Sequence, residues 1–296
     1  MNHSLTPVNI PSNISETQIL PTDPIGIFDS GVGGLSIYRE VRRLLPAETI
    51  LYVADQAHVP YGTRTLEEVR RYSEGVTCLL LEHRVKLIVI ACNTASAAAL
   101  QYLREKYKGF PFVGMEPAVK PAAQKTQSQR VGILATQTTF QGALYASVIE
   151  RFARNVKVFE NACPGLVMQI ENGDLNSEDT RRILETAIRP MLAEGVDTIV
   201  LGCTHYPFVI PLIKEIAGSG VVVIDPAPAI ARQTQRLLEA KHLLNPHQEQ
   251  GNTMLFSSAS PNKLQSLLPH LIGEALKVLP ISWQIDPQGT SQLHRQ

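Results

Sequence analysis

The sequence lacks an excess of charge of either sign, a long hydrophobic run and a dense set of cysteines. Lysine plus arginine and aspartate plus glutamate both number 27, a balance that gives no indication of a nucleic-acid partner. No apolar run approaches the roughly 18 residues of a membrane span. The N-terminus has neither a basic segment nor a continuous apolar segment, so no signal peptide is predicted. We therefore expect a cytoplasmic protein with no nucleic-acid or membrane partner.

The four cysteines (Cys78, Cys92, Cys163 and Cys203) are too irregularly spaced for a disulfide framework, and they include no CxxC pair for zinc. Reduced thiols are therefore expected, and no metal site is predicted. Cys78 falls in the helix pattern VTCLLL and is expected in the core. Cys163 has no counterpart in the other half of the chain and is expected to be structural.

From Ile25 onward, short apolar runs alternate with amphipathic stretches. Strands this apolar, separated by helices, predict mostly parallel sheets covered on both faces. Pro190 falls within the helix predicted over 177–195, and it is expected to kink that helix or split it in two. The predicted organisation is a flexible extension (1–23), a first α/β domain (24–124), a second α/β domain (125–225), C-terminal segments returning to the first domain (226–280) and a tail (281–296).

The chain contains an internal repeat. PIGIFDSGVGGLSIYREV (24–41) aligns with RVGILATQTTFQGALYASV (130–148), and KLIVIACNT (86–94) aligns with DTIVLGCTH (197–205). Two sequence pairs in the same order predict two similar α/β halves, each with an open, mostly parallel sheet.

Cys92 and Cys203 occupy equivalent positions in the two repeats, each at the carboxyl end of an apolar strand and just before a helix. Ligands of open α/β sheets bind beyond this end of the strands. Backbone N–H groups at a helix start favour the thiolate, so lowered thiol pKa values are expected. If the halves face each other, the two thiols approach one ligand from opposite sides, as two groups that invert a stereocentre must. A lone cysteine at a strand end is more often an inert core residue, and the repeat is what favours the catalytic interpretation.

Other polar residues also follow predicted strands. FDSGVGG (28–34) places Asp29 and Ser30 at a helix N-terminus, which predicts a carboxylate or phosphate site. Its glycine spacing is not that of a dinucleotide fingerprint. The ATQTT segment is the equivalent in the second half, and it offers Thr136 and Thr139 as hydroxyl donors.

Two further residues have both a functional and a structural interpretation. His205 follows Cys203 by two residues, so it either shares a proton with that thiol or polarises a substrate, or it is an ordinary structural histidine. Glu171, in LVMQIENGD, is either a helper of the site or a solvated carboxylate at a helix end.

Five segments resemble glutamate racemases of the cofactor-independent aspartate/glutamate racemase family: IGIFDSGVGGLS (25–36), YVADQAHVPYGTRT (52–65), ACNTASA (91–97), GILATQTT (132–139) and LGCTHYP (201–207). The resemblance implies two pseudo-symmetric α/β domains that face each other across a buried cleft. It also implies a two-base racemisation of glutamate without a cofactor, which supplies D-glutamate for bacterial peptidoglycan synthesis.

By this resemblance, Cys92 abstracts the α-proton of D-glutamate and Cys203 that of L-glutamate. Asp29 and His205 assist the thiols. Glu171 is a looser assignment, because Met168 stands where the family commonly has a proline. The residues that the resemblance assigns to the carboxylates and ammonium of the substrate are Asp29, Ser30, Tyr61, Gly62, Asn93, Thr94, Thr136, Thr139, Thr204 and His205.

Further expectations come from how the chain differs from the family pattern. Pro226, Ala227 and Pro228 replace the usual residues after Asp225, so altered local contacts are expected there. The N-terminal extension resembles those of family members that a peptidoglycan precursor activates, and the protein is expected to be a monomer or a homodimer.

Two alternatives remain at this point. The first is an aspartate racemase or a related two-thiol isomerase. The second is a two-lobed amino-acid binding protein, against which the paired cysteines and the lack of a signal peptide argue.

Overall fold

The computed structural model describes residues 19–285 and 291–295, so most of the predicted N-terminal extension lies outside the described residues. The first half forms a parallel sheet whose strands run in the order β2–β1–β3–β4. These strands are β1 (Ile25–Asp29), β2 (Ile50–Ala54), β3 (Leu87–Ile90) and β4 (Phe112–Gly114). The helices are α1 (Leu35–Leu44), α2 (Leu66–Glu82), α3 (Asn93–Lys106) and α4 (Val119–Lys125), with a 3-10 turn at Tyr61–Thr63 before α2.

The second half repeats this arrangement with a second parallel sheet in the order β6–β5–β7–β8. Its strands are β5 (Arg130–Ala135), β6 (Lys157–Asn161), β7 (Thr198–Gly202) and β8 (Val222–Ile224). The helices are α5 (Gln137–Gln141), α6 (Ala143–Phe152), α7 (Leu166–Glu171), α8 (Glu178–Ala193) and α9 (Ile210–Ala217), with a 3-10 turn at Tyr206–Val209. The shared strand order places β1 and β3 in positions equivalent to β5 and β7. The predicted α/β class with mostly parallel sheets is confirmed.

The remaining elements are two helices and three strands, and the strands extend the first sheet. They are α10 (Ala227–Ala240), β9 (Thr253–Ser257), α11 (Pro261–Ile272), β10 (Val278–Ile285) and β11 (Ser291–Arg295). Strand β9 pairs with β2, β10 with β9, and β11 with β10. The segment predicted as a tail (281–296) therefore contains β11 and the end of β10. Ile281 of β10 and Leu293 of β11 are buried in the core around α2. The apolar alternation of these two strands is too short to be recognised from the sequence.

Pro190 does not split the helix in which it falls. Helix α8 is continuous from Glu178 to Ala193. The proline stands in the last turn, where its missing N–H removes only one intrahelical hydrogen bond shortly before the helix ends.

The segment Pro226–Pro228, which differs from the family pattern, stands at the start of α10. Pro226 is the N-cap residue, and Oδ1 of Asp225 accepts the backbone N–H of Ala227 at 2.8 Å. Proline suits the first turn of a helix because its missing N–H would have no partner there.

Among the helices that the structure describes, none has the length and hydropathy needed to cross a membrane.

Candidate active site

Residues that follow four parallel strands line one cleft. Ser30 comes after β1, Cys92 after β3, Thr136 after β5 and Cys203 after β7. The full lining is Ser30, Pro60, Tyr61, Gly62, Cys92, Asn93, Thr94, Thr136, Val167, Cys203, Thr204 and His205. Both thiols, at equivalent positions of the two halves, therefore face the same enclosed space. Asp29, Thr139 and Glu171, which were also predicted as site residues, contact this lining from behind.

Cys203, His205 and Glu171 form a hydrogen-bonded series on one side of the cleft. The Sγ of Cys203 lies 3.8 Å from Nδ1 of His205, and Nε2 of His205 lies 2.7 Å from Oε1 of Glu171. Burial alone lowers the pKa of His205, but the contacts with Cys203 and Glu171 outweigh it and raise that pKa well above its ordinary value. The imidazole can therefore hold a proton next to the Cys203 sulfur.

Glu171 is held from several directions. Its Oε1 accepts the backbone N–H of Val32 at 2.7 Å, and its Oε2 accepts Nε2 of Gln56 at 3.0 Å. Burial raises the pKa of Glu171, but hydrogen bonds from His205, Val32 and Gln56 lower it overall, so the carboxyl is ionised. The alternative of a solvated carboxylate is wrong, because α7 ends beneath the cleft and leaves Glu171 only 2% exposed. A Cβ at Gly31 would overlap the Glu171 carboxylate, so a glycine is required at that position.

Cys92 is the N-cap residue of α3, and its sulfur accepts the backbone N–H of Ala95 at 3.4 Å. Burial, followed by the negative charge of Asp29, raises the pKa of Cys92 well above its ordinary value. The expectation of a lowered pKa is therefore wrong for this thiol. The N–H groups at the helix start do favour the thiolate, but they are weaker than desolvation combined with a nearby carboxylate.

Asp29 connects the two halves at the base of the cleft. Its Oδ1 accepts the N–H of Gly31 at 3.0 Å, and its Oδ2 accepts the hydroxyl of Thr204 at 3.1 Å. Burial raises the pKa of Asp29, and the charge of His205 opposes that rise. The second half can approach this closely because position 33 is a glycine, where a Cβ would overlap the His205 ring.

Three threonine hydroxyls meet across the cleft. The Oγ1 of Thr94 lies 2.8 Å from that of Thr136 and 3.2 Å from that of Thr139, and the latter two are 2.9 Å apart. Beside them, the amide nitrogen and oxygen of Asn93 are both buried without a hydrogen-bond partner among the described residues. A buried amide in this condition is costly unless it meets a polar ligand.

Tyr61 lines the cleft, but its hydroxyl points away from it. That hydroxyl donates to Oδ2 of Asp55 at 2.6 Å. The role of Asp55 was not predicted from the sequence, nor was that of Gln56 behind Glu171. They are the first and second residues after the apolar strand β2, and a polar residue at a strand end is the same signal that singled out Asp29, Cys92 and Cys203.

Comparisons with known proteins find relatives in one family. The family model described as Asp/Glu/Hydantoin racemase matches residues 25–234. A curated glutamate racemase from Pseudomonas paraeruginosa is 50% identical over 250 residues, which cover 84% of this chain and 94% of the relative. A glutamate racemase from Bacillus anthracis superposes with a TM-score of 0.78 at 31% identity, over 86% of this chain and 96% of that one. The Escherichia coli glutamate racemase, solved with L-glutamate and the activator UDP-MurNAc-Ala, gives a TM-score of 0.75 at 32% identity, over 87% and 97%.

Proposed function

The chain belongs to the Asp/Glu/hydantoin racemase family and is an amino-acid racemase, and we propose that it interconverts L- and D-glutamate by a two-thiol proton transfer. The observation that carries this proposal is the pair of cysteines that follow equivalent strands of the two sheets and line one cleft. Inversion at a carbon needs one group to remove the proton from one face and another to deliver a proton to the opposite face. A pseudo-symmetric cleft with one thiol from each half meets that requirement.

In the direction from L to D, the protonated His205 holds the proton of the Cys203–His205 pair, so Cys203 acts as the thiolate and removes the α-proton of L-glutamate. The electron pair of the broken C–H bond stays on the α-carbon. Cys92, held as the neutral thiol by burial and by the charge of Asp29, then delivers its proton to the opposite face. Cys203 ends as the thiol and Cys92 as the thiolate, so the reverse reaction uses the same two groups with exchanged roles.

The carbanionic transition state needs donors that are fixed before the reaction. The unpaired amide of Asn93 and the hydroxyls of Thr94, Thr136 and Thr139 are suited to the substrate's carboxylates. Ser30 and Thr204 add hydroxyls to the lining, and the Asp29 carboxylate matches the α-ammonium. Low exposure of the cleft residues keeps water away from these contacts and strengthens them.

We propose that this reaction takes place in the cytoplasm and supplies D-glutamate for peptidoglycan synthesis. All four cysteines lie in the described residues and none forms a disulfide, which is typical of a reducing compartment. We also propose activation by a peptidoglycan precursor, by analogy with the Escherichia coli relative and its UDP-MurNAc-Ala activator. Adding that nucleotide to the racemisation assay tests this point: increased kcat/KM supports activation, and an unchanged value contradicts it.

The mechanism is tested by Cys92→Ala and Cys203→Ala, each assayed by circular dichroism with L- and D-glutamate. Each variant should lose on the order of 10³-fold in kcat/KM in both directions, because every turnover needs both thiols. Cys78→Ala is the matched control, since Cys78 lies on α2 and bonds to Tyr107 outside the cleft. Full activity in either cleft variant contradicts the mechanism. Faster turnover of L-aspartate than L-glutamate favours an aspartate racemase, and glutamate binding without turnover favours a binding protein.

A further inference from the structure

The C-terminal strands bring the only tryptophan of the chain to the rear of the cleft wall. Trp283 lies on β10, where it pairs with Leu293 of β11. Its ring packs edge-on against His58 and Tyr72, with centroid separations of 5.1 and 5.9 Å. The indole Nε1–H donates to Oδ1 of Asp55 at 2.6 Å. Trp283 therefore has a defined polar contact in addition to its packing.

Asp55 connects this tryptophan to Tyr61. Its carboxylate is fully buried at the end of β2. Oδ1 accepts Trp283 and the Ser258 hydroxyl at 2.6 and 2.7 Å, and Oδ2 contacts the Tyr61 hydroxyl and Nδ1 of His58 at 2.6 and 2.9 Å. A carboxylate offers about four lone-pair sites, so all of them are occupied here. Removing one donor leaves a buried carboxylate oxygen short of a partner and releases the constraint on the others.

Tyr61 opens the 3-10 turn that forms one wall of the cleft. Burial, and then the charge of Asp55, raise the pKa of Tyr61 well above its ordinary value, so the phenol stays protonated and keeps donating. The next residue, Gly62, packs against the second half, where a Cβ would lie 2.5 Å from Cβ of Thr136. Its carbonyl accepts the Thr138 hydroxyl at 3.0 Å. A small displacement of this turn therefore changes both the width of the cleft and the contact between the halves.

We propose that Trp283 is a positioning residue for substrate binding: through Asp55 it fixes Tyr61 and the 3-10 turn that forms the cleft wall. The proposal rests on the proposed function, because the ligand that this wall accommodates is glutamate. It gives the C-terminal strand pair, which is distant in sequence from every motif of the site, a role in affinity. Trp283 is absent from the cleft lining and contacts neither thiol, so the proton-transfer step itself is unaffected.

The test is Trp283→Phe, which keeps an aromatic ring against His58 and Tyr72 but removes the N–H donor. We expect the KM for L-glutamate to rise on the order of tenfold, the effect of losing one hydrogen bond to a buried charge. The kcat should stay within about twofold, because only binding is weakened. Tyr102→Phe is the matched control, since it removes an aromatic donor to Glu74 (2.8 Å) outside the cleft lining, and it should change neither constant. An unchanged KM in Trp283→Phe, or an equal loss in kcat, overturns the proposal.

Fluorescence of the unsubstituted protein provides a second measurement that does not depend on a variant folding. Because Trp283 is the only tryptophan, the tryptophan emission of the protein comes from this position alone. L-Glutamate should change the emission in a saturable way, and Tyr61→Phe, which breaks the link to Asp55, should abolish the change. No emission change in protein that racemises glutamate overturns the positioning role and leaves the proposed function standing. Protein that does not racemise glutamate contradicts the proposed function instead, and this proposal with it.

Discussion

Nε2 of His205 lies 2.7 Å from Oε1 of Glu171, and both side chains are almost completely buried. The Glu171 carboxylate accepts from Nε2, so the ring is oriented with Nδ1 toward the Cys203 sulfur, 3.8 Å away. In this arrangement the carboxylate stabilises the imidazolium that forms when the histidine takes the thiol proton. Glu171 thereby acts on Cys203 through His205.

Replacing Glu171 with glutamine keeps the shape of the side chain and removes its charge. The Glu171→Gln variant should lose on the order of 10²-fold in kcat, because the imidazolium next to Cys203 loses its counter-charge. Steady-state racemisation rates provide the measurement. Glu178→Gln, the same change at an exposed position in the first turn of α8, should keep normal kcat. Equal rates for the two variants would show that His205 does not need the Glu171 charge.

The same pair should make stability depend on pH. The pKa of His205 is raised from 6.5, so its contribution to the free energy of unfolding is complete below pH 6.5 and declines as the pH rises through the folded value. The pKa of Glu171 is lowered from 4.5, so its contribution is complete above pH 4.5 and is lost as the pH falls. The stability difference between the unsubstituted protein and Glu171→Gln should therefore be largest between pH 4.5 and 6.5. Urea titrations at a series of pH values measure it, and a difference independent of pH would contradict the pairing.

The close approach of the halves at Gly33 predicts a steric defect. In Gly33→Ala the new Cβ overlaps the His205 ring, so that ring must move away from Cys203 or the halves must separate. The expected result is a loss of about 1–3 kcal/mol in stability together with a large fall in kcat/KM. Gly220→Ala is the control, because a Cβ there meets no atom within 4 Å. Thermal unfolding and activity of both variants decide the matter, and a fully active Gly33→Ala would show that the contact is dispensable.

The unpaired amide of Asn93 predicts that removing it weakens substrate binding without lowering the stability of the fold. Asn93→Ala removes no hydrogen bond among the described residues, so the melting temperature should be unchanged or raised. The KM for glutamate should rise on the order of tenfold, because a buried donor and acceptor for the substrate are lost. Calorimetry and steady-state kinetics on one preparation provide both values. A large drop in melting temperature with an unchanged KM would assign Asn93 to the fold instead.

Much of the fold could be predicted because its signals are local. Apolar runs ending in polar residues identified β1, β3, β5 and β7, and the aligned segments around Cys92 and Cys203 predicted two similar halves, which agrees with the strand order that the two sheets share. The C-terminal strands β10 and β11 could not be found in this way. Strand β11 pairs with β10 directly before it in the chain, so long sequence separation is not the cause. The apolar alternation of both strands covers only a few residues.

The site could be predicted as a set of residues but less well as a set of pKa values. A helix start lowers a thiol pKa when considered alone, yet burial and Asp29 decide the result for Cys92. The roles of Asp55 and Gln56 depend on partners such as Trp283 and Glu171, which lie more than a hundred residues away in the chain. Adjacency in the sequence carries no information about such pairs.

The most direct test of the two-thiol mechanism follows L-glutamate in D₂O, with the unsubstituted protein and no added pyridoxal phosphate. Circular dichroism measures the loss of optical activity, and mass spectrometry of the separated enantiomers measures deuterium at the α-carbon. The two-thiol account predicts that optical activity decays to zero and that newly formed D-glutamate carries deuterium, because the opposite thiol delivers a proton from solvent. Persistent optical activity, or D-glutamate that keeps its original protium, would contradict the account.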